Sequence, residues 1–256
     1  VRLVGSEMCI RDRCGDFALV MKFPRAFTVG LLNQLVLLPL VALLLAHAFG
    51  LSPVFAVGLM ILALCPGGVT SNLLAKLAGG NAPLSISLTA IVSLVSILTV
   101  PILVSLSISH FMNEDPLRVD VTALGLKMFL LTALPVSVGM IWTARLPSSA
   151  ERIGPAVSRV AIGLFALIIV AALAKNWEIF SSNFTILAPV AIGLNLVMLG
   201  LGLLSGLTTG LNKRDSTTIS IESGVQNGTL AIAVGSFIAA GGGQVLPPET
   251  VPAAVY

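Results

Sequence analysis

Charged residues are scarce in this chain. They make up 10% of its 256 residues, and 56% of the residues are hydrophobic, whereas ordinary globular domains carry roughly a quarter of charged residues. The net charge of +3 is too small and too scattered to indicate a nucleic-acid partner. Apolar runs recur along most of the length, many of them of about 18 residues or more, which is enough to cross a bilayer core about 30 Å thick. The composition therefore predicts an all-α polytopic membrane protein surrounded by lipid bilayer.

Cysteine and histidine are also rare. Three cysteines, at Cys9, Cys14 and Cys65, supply no metal or disulfide framework. The two histidines, His47 and His110, fall at or beyond the ends of apolar segments, where we expect an interfacial position rather than a catalytic one. The sequence has no HExxH motif, no GxSxG motif and no phosphate-binding loop. Nothing in it favours an enzyme.

Seven apolar segments have the length of a membrane span, and an eighth reaches the last residue, Tyr256. We predict the complete spans at about 27–47, 53–79, 82–107, 121–143, 155–174, 185–209 and 217–240. Strict alternation of the loops puts eight basic loop residues on one side of the membrane and two, Arg118 and Lys175, on the other. By the positive-inside rule, the side with eight basic residues is cytoplasmic.

The first 14 residues differ in composition from the remainder. This head is polar, lacks the apolar core of a signal peptide, and contains "SEMCIRDR", which resembles translated sequencing-adapter sequence. We therefore exclude residues 1–14 from the fold and expect the membrane domain to occupy residues 15–256.

The second predicted span is interrupted by "CPGGVTSN", residues 65–72. Pro66 lacks an N–H group, and Gly67 and Gly68 permit non-helical dihedral angles, so a helix is expected to stop there. Thr70 and Ser71 suit the restart as capping residues. The alternative is a proline kink in a continuous helix, which membrane helices tolerate.

The seventh predicted span carries a similar interruption without proline, in "ESGVQNG", residues 222–228. Both interruptions combine Gly-Val with polar residues and continue into an apolar run. They lie five spans apart, an odd number, so their helices cross the membrane in opposite directions. Paired interruptions of this kind indicate an inverted-repeat secondary transporter with its site near the bilayer midplane.

Glu222 is the only acidic residue inside any predicted span. It lies seven residues beyond Asp215, about 10 Å deep, where an ionised carboxylate costs at least about 2.5 kcal/mol. No basic residue is expected deep in another span, so a proton or a bound metal cation must neutralise it. Hydroxyl and amide oxygens suit a hard cation such as sodium, and the nearby candidates are Ser71, Asn72, Ser85, Thr89, Gln226 and Asn227.

These motifs resemble those of the bile acid:sodium symporter family, including its bacterial members. The resemblance is carried by "CPGGVTSN", "LSISLT", "ESGVQNG", "NQLVLLP" and "DFALVMKFPRA" and extends from about residue 15 to the end. It implies ten helices in two inverted five-helix repeats, with two broken helices that cross. The core would comprise residues 27–108 and 185–256, and residues 121–174 would form panel-type helices. It also implies an integral protein of the bacterial inner membrane.

Carried over position by position, the resemblance implies up to two sodium ions and one substrate site. The first sodium would be bound by Ser71, Asn72, Ser85, Thr89 and Glu222. The second would be bound by Gln34, Glu222 and Gln226, with backbone carbonyls of Ser223 and Val225. The substrate would lie against Thr70 and Asn227, where the N-termini of half-helices favour a carboxylate.

The resemblance predicts a sodium-coupled symporter of a small organic anion, such as a bile acid or another carboxylate, working by alternating access. Proton coupling or efflux, with Glu222 as the proton carrier, is the first alternative, and a non-transporting ligand-binding scaffold is the second. No protein partner is implied. The sequence has seven complete spans and part of an eighth, whereas the family has ten helices. We therefore expect a chain that is truncated at both ends and does not transport as written.

Overall fold

The computed structural model describes residues 24–112 and 120–241, and every regular element in these ranges is helical. Four of the helices are long and apolar enough to cross a membrane, and up to six spans result if each of two bent pairs counts as one. The chain is therefore an integral membrane protein. The elements are α1 (Pro24–Ala48), α2 (Pro53–Leu64), α3 (Val69–Leu77), α4 (Ala82–Phe111), α5 (from Val121 to Arg145), α6 (Pro147–Lys175), α7 (Trp177–Thr208), α8 (Lys213–Gly224) and α9 (Gly228–Gly241).

Two of the helices contain a π-helical turn at the same distance from a proline. The turn at Asn33–Leu37 in α1 ends just before Leu38-Pro39, and the turn at Phe129–Ala133 in α5 ends just before Leu134-Pro135. Proline lacks an N–H group and its ring crowds the carbonyl one turn earlier, so the preceding turn widens to an i→i−5 bond. In α1 this wider turn contains two buried polar side chains, Asn33 and Gln34.

The first interruption is a true break. Helix α2 ends at Leu64, Cys65 is extended, and α3 restarts at Val69 with its axis bent by 61° from that of α2. The alternative of a kink in a continuous helix is therefore wrong. The predicted capping residues were also wrong, because Gly68 is the N-cap and no side chain caps this helix. Ser71 instead donates its hydroxyl hydrogen back to the Gly68 carbonyl at 2.9 Å.

The second interruption is shorter than predicted. Helix α8 continues to Gly224 and α9 begins at Gly228, so Glu222 lies in the last turn of a helix and not in the break. The two breaks touch each other, since the Asn227 backbone N–H donates to the Pro66 carbonyl at 3.1 Å. The relation of the two halves as an inverted repeat, and the count of seven spans, stay predictions.

Two helix starts differ from the predicted span boundaries. Helix α6 begins at Pro147 and not at 155, and it bends by 44° between Pro147–Gly154 and Arg159–Lys175. Helix α7 begins at Trp177 and not at 185. The predicted spans include only the apolar residues. A helix can begin earlier, in polar sequence, when the residues of its first turn favour a helix start. Pro147 supplies the preferred first residue of α6, and Glu178 places a carboxylate at the N-terminus of α7.

Helix α8 is positioned by close packing against α7. A Cβ atom on Gly202 would lie 2.8 Å from the Ser220 Cα, and one on Gly206 would lie 2.9 Å from the Ser216 Cα. These two glycines form a GxxxG pair, a spacing that lets the backbones of membrane helices approach closely. Ser220 also donates to the Leu199 carbonyl of α7 at 2.7 Å. This contact fixes the helix that carries Glu222.

Candidate ion-binding site

The buried carboxylate of Glu222 is the centre of the site. The side chain is 0% exposed at the end of α8. Two hydroxyl groups from successive turns of α4 donate to it: Ser85 to Oε1 at 2.6 Å and Thr89 to Oε2 at 2.9 Å. These residues are four apart and lie on one face of α4, as expected from the sequence.

Helix α3 brings a second oxygen to the same two hydroxyl groups. The Asn72 Oδ1 atom lies 2.7 Å from the Ser85 hydroxyl and 3.4 Å from the Thr89 hydroxyl. The amide nitrogen of Asn72 is occupied by the Gly68 carbonyl at 3.2 Å, which fixes the side-chain oxygen toward α4. Thus α3, α4 and α8 each contribute oxygen atoms to one buried cluster.

Gly67 forms the wall of this cluster in the first break. A Cβ atom built on Gly67 would lie 2.8 Å from Glu222 Oε2, 2.9 Å from Ser71 Oγ and 3.6 Å from Thr89 Oγ1. Because glycine has no side chain, the space next to these three oxygens stays open. All five residues predicted for the first sodium site converge here: Ser71, Asn72, Ser85, Thr89 and Glu222.

Gln34 also contacts Glu222, from the π-helical turn of α1. Its amide nitrogen lies 3.1 Å from the Glu222 main-chain carbonyl and 3.4 Å from Oε2. Three buried oxygens, on Gln34 itself and on residues one and four positions after Glu222, have no hydrogen-bond partner among the described residues. They are Gln34 Oε1, Ser223 Oγ and Gln226 Oε1. They belong to residues predicted for the second sodium site.

The main-chain carbonyls of Ser223 and Val225 stay predictions as ligands of the second sodium. The Ser223 carbonyl accepts from the Gln226 side-chain amide at 2.8 Å, so it already has a partner. Val225 lies in the break, partly buried, with its N–H bonded to the Ile221 carbonyl at 2.9 Å. The Ser223 hydroxyl, which has no partner among the described residues, was not predicted. A sequence does not show whether the side chain or the main chain of a residue faces a site.

The two residues predicted to contact substrate differ in their environment. Thr70 is exposed in the first turn of α3. Asn227 instead caps α9: its Oδ1 atom accepts from the Leu230 N–H at 3.1 Å and from the Thr229 hydroxyl at 2.7 Å. This capping role was not predicted, although asparagine before a helix is a recognisable signal.

Two further residues were overlooked. Lys127 is a basic residue inside the fourth predicted span, contrary to the expectation that none lies there, and its ammonium group lies 5.3 Å from the Phe237 ring centroid.

Asp215, 4% exposed in the first turn of α8, accepts from the side-chain amides of Asn81 and Asn212, each at 2.7 Å. The Asp215 cluster ties the turn between α3 and α4 to the start of α8.

The chemistry of the cluster suits a hard cation. Its oxygens come from one carboxylate, three hydroxyl groups and an amide, the ligand types that alkali and alkaline-earth ions prefer. Within residues 24–112 and 120–241, no group of three or more histidine, cysteine, aspartate or glutamate side chains could hold a metal ion. The described hydrogen bonds to the Glu222 side chain come from hydroxyl and amide groups, with no basic residue among them.

The chain resembles known transporters over most of its length. The sequence model of the Sodium Bile acid symporter family matches residues 5–183. A sodium-dependent organic anion transporter of Rattus norvegicus is 33% identical over 217 residues, which are 84% of this chain and 57% of the relative. A probable chloroplastic sodium/metabolite cotransporter, BASS1, of Arabidopsis thaliana is 27% identical over 90% of this chain and 55% of the relative.

A bacterial relative is covered more completely. The protein named uncharacterized sodium-dependent transporter YocS, of Bacillus subtilis (strain 168), is 26% identical over 241 residues, which are 94% of this chain and 72% of the relative. The chain spans little more than half the length of the plant and rat relatives. The family match begins at residue 5, inside the head that the sequence analysis excludes, so that exclusion stays a prediction.

Proposed function

Because this chain belongs to the Sodium Bile acid symporter family, a family of transporters and not of enzymes, we propose that it is a sodium-coupled symporter of a small organic anion. Sodium is the co-transported ion, and the first sodium binds in the oxygen cluster around Glu222. The relatives named as sodium-dependent transporters support sodium coupling. Their names also point to organic anions and metabolites as the class of substrate.

The proposal rests on the Ser85 hydroxyl group. It has one hydrogen but lies 2.6 Å from Glu222 Oε1 and 2.7 Å from Asn72 Oδ1, two acceptor oxygens. Only one of these contacts can be a hydrogen bond donated by Ser85. The other close approach of two oxygens is accounted for by a bound cation or by a proton on Glu222, which would then donate to Ser85. A proton needs only one acceptor, whereas a cation needs several ligands. The neutral oxygens around Glu222 could supply those ligands, so they favour a cation.

A second sodium would use the oxygens near Gln34. Three of them, on Gln34, Ser223 and Gln226, lack hydrogen-bond partners among the described residues, and an unpaired buried acceptor costs about 1–3 kcal/mol. A cation that contacts them would offset this cost. The resemblance implies that this second ion also shares the Glu222 carboxylate with the first.

We place the organic anion where the two breaks meet. The Asn227 N–H reaches the Pro66 carbonyl there, and the N-termini of α3 and α9 both start from the breaks. Their partial positive charge favours a carboxylate. Alternating access would move this core, residues 27–108 and 185–256, against the panel helices of 121–174, in the inner membrane of a bacterium.

Sodium binding by the 256-residue chain tests the ion site. The thermal unfolding midpoint is measured in detergent while sodium chloride replaces choline chloride at constant ionic strength and pH. We expect sodium to raise the midpoint of the wild-type chain and of Glu178→Gln, which removes an exposed carboxylate elsewhere, but not that of Glu222→Gln. Sodium stabilisation that persists in Glu222→Gln would refute the site. Stabilisation by acid but not by sodium would establish the proton-coupled alternative instead.

Symport is tested by coupling between the two ligands. If sodium and anion bind cooperatively, a carboxylate or bile acid binds more tightly as sodium increases, and sodium binds more tightly in its presence by the same factor. Anion affinity that does not depend on sodium would contradict symport. Uptake into liposomes under an inward sodium gradient then tests transport itself, and uptake by these 256 residues would overturn the expectation that they do not transport as written.

A further inference from the structure

The chain contains only two histidines, and the fold brings them together. His47 lies in the last turn of α1 and His110 in the last turn of α4, 63 positions apart. Their Nε2 atoms are 3.3 Å apart, and both side chains are exposed. The pair lies 13 residues beyond Gln34 on α1, about 20 Å along the helix axis, so it is separate from the Glu222 cluster.

The orientation of His47 leaves a lone pair directed at His110. The His47 Nδ1 atom lies 2.8 Å from the Leu43 main-chain carbonyl, which can only accept, so Nδ1 carries the hydrogen. The Nε2 atom of neutral His47 is therefore unprotonated. An imidazole whose other nitrogen donates to a backbone carbonyl is the usual arrangement of a histidine that binds a metal.

The distance between the two Nε2 atoms fits a tetrahedral metal ion. Two bonds of about 2.0–2.1 Å at a tetrahedral angle separate their nitrogen atoms by about 3.3–3.4 Å. A hydrogen bond donated by nitrogen has a typical length of about 2.7–3.2 Å, so the observed 3.3 Å is at the long side for a direct bond. The observed distance equals the separation of two nitrogen ligands in a tetrahedral zinc site, within the precision of these values.

The rings are also held in place by an aromatic neighbour. The Phe111 ring packs against His47 with centroids 5.2 Å apart and against the edge of His110 at 4.8 Å. Both imidazoles are therefore restrained before a metal arrives, which lowers the entropic cost of bringing them together. Their exposure leaves room for water molecules to complete the coordination.

We propose that His47 and His110 form a binding site for a divalent transition-metal ion such as Zn²⁺, with two imidazole ligands and water in the other positions. The bound ion bridges the ends of α1 and α4 and restrains the distance between them. By the predicted loop orientation, this site faces away from the cytoplasm. It does not depend on the sodium site or on transport.

The test uses the whole 256-residue chain, purified with a tag that contains no histidine. Cys9→Ser and Cys14→Ser are introduced so that thiolates do not contribute, while Cys65 is buried. Zn²⁺ is titrated against a chromophoric chelator. We expect one Zn²⁺ per chain, loss of binding in His47→Ala and in His110→Ala, and unchanged binding in Ser109→Ala, which alters a neighbouring exposed residue.

Two results would overturn the proposal: no Zn²⁺ binding by the parent chain at micromolar concentrations, or equal affinity in both histidine variants. A second measurement does not require the variants to fold. In the parent chain, diethyl pyrocarbonate modifies accessible imidazoles, and Zn²⁺ should protect His47 and His110 together, as read by mass spectrometry. Modification that proceeds at the same rate with and without Zn²⁺ would refute the site.

Discussion

Replacing Gly67 by alanine tests whether the space beside Glu222 is the sodium position. The added Cβ would lie 2.8 Å from Glu222 Oε2 and 2.9 Å from Ser71 Oγ. Ordinary contact to a Cβ begins at 3.4 Å, so the carboxylate would have to move by 3.4 − 2.8 Å, about 0.6 Å. No predicted ligand is removed, and all the oxygens of the cluster remain.

The size of the effect follows from this overlap. Inserting a methyl group into a packed site costs about 1–3 kcal/mol. The ion-bound state should bear most of this cost, because the carboxylate can move away from the methyl group only when no ion fixes it. At about 1.4 kcal/mol per tenfold change, we expect sodium affinity to fall by about 5- to 140-fold.

The assay is a sodium titration of the thermal unfolding midpoint, with choline chloride maintaining the ionic strength. Gly200→Ala is the matched control, since a Cβ on Gly200 meets no atom of residues 24–112 or 120–241 within 4 Å. Sodium affinity in that control should equal that of the wild type. If Gly67→Ala folds and its sodium affinity stays within about twofold of the wild type, less than 0.5 kcal/mol, then the ion does not bind against this glycine.

Three other variants test the packing around the site. Gly202→Ala should destabilise the protein by about 1–3 kcal/mol, because its Cβ would lie 2.8 Å from the Ser220 Cα, and an unfolding midpoint equal to that of Gly200→Ala would contradict this. Asp215→Ala should lower stability by about 1–3 kcal/mol by leaving two side-chain amides without an acceptor; a large loss of sodium affinity would show a further role. Asn227→Ala should cost about 0.5–2 kcal/mol as a lost helix cap, measured by thermal unfolding, and a gain in stability would argue against the cap.

The sequence was sufficient to predict the polytopic class, both interruptions and the burial of Glu222, since each depends on local chemistry. Proline and glycine interrupt a helix regardless of its neighbours, and a carboxylate in an apolar segment needs a partner wherever it lies. The pairing of Ser85 with Thr89 was predicted for the same reason, because a spacing of four places them on one face of a helix.

Other features depend on contacts that a linear pattern does not contain. Gly68 as the N-cap, the π-helical turn that contains Gln34, and the closeness of Gly67 to the carboxylate follow from how the elements meet. The meeting of His47 and His110 requires α1 and α4 to end at the same level. The helical starts at Pro147 and Trp177 were missed because span prediction measures apolarity, whereas helices extend into polar sequence.

The hydrogen bond between Asn227 and Pro66 also constrains how the protein is made. The two residues are 161 positions apart (227 − 66), and at roughly 5–20 residues per second of synthesis the second emerges roughly 8–32 s after the first. During that interval the Pro66 carbonyl has already left the ribosome without its partner, the Asn227 N–H of the second break. Membrane insertion must therefore keep the first break hydrated, or shielded by other proteins, until the second break arrives.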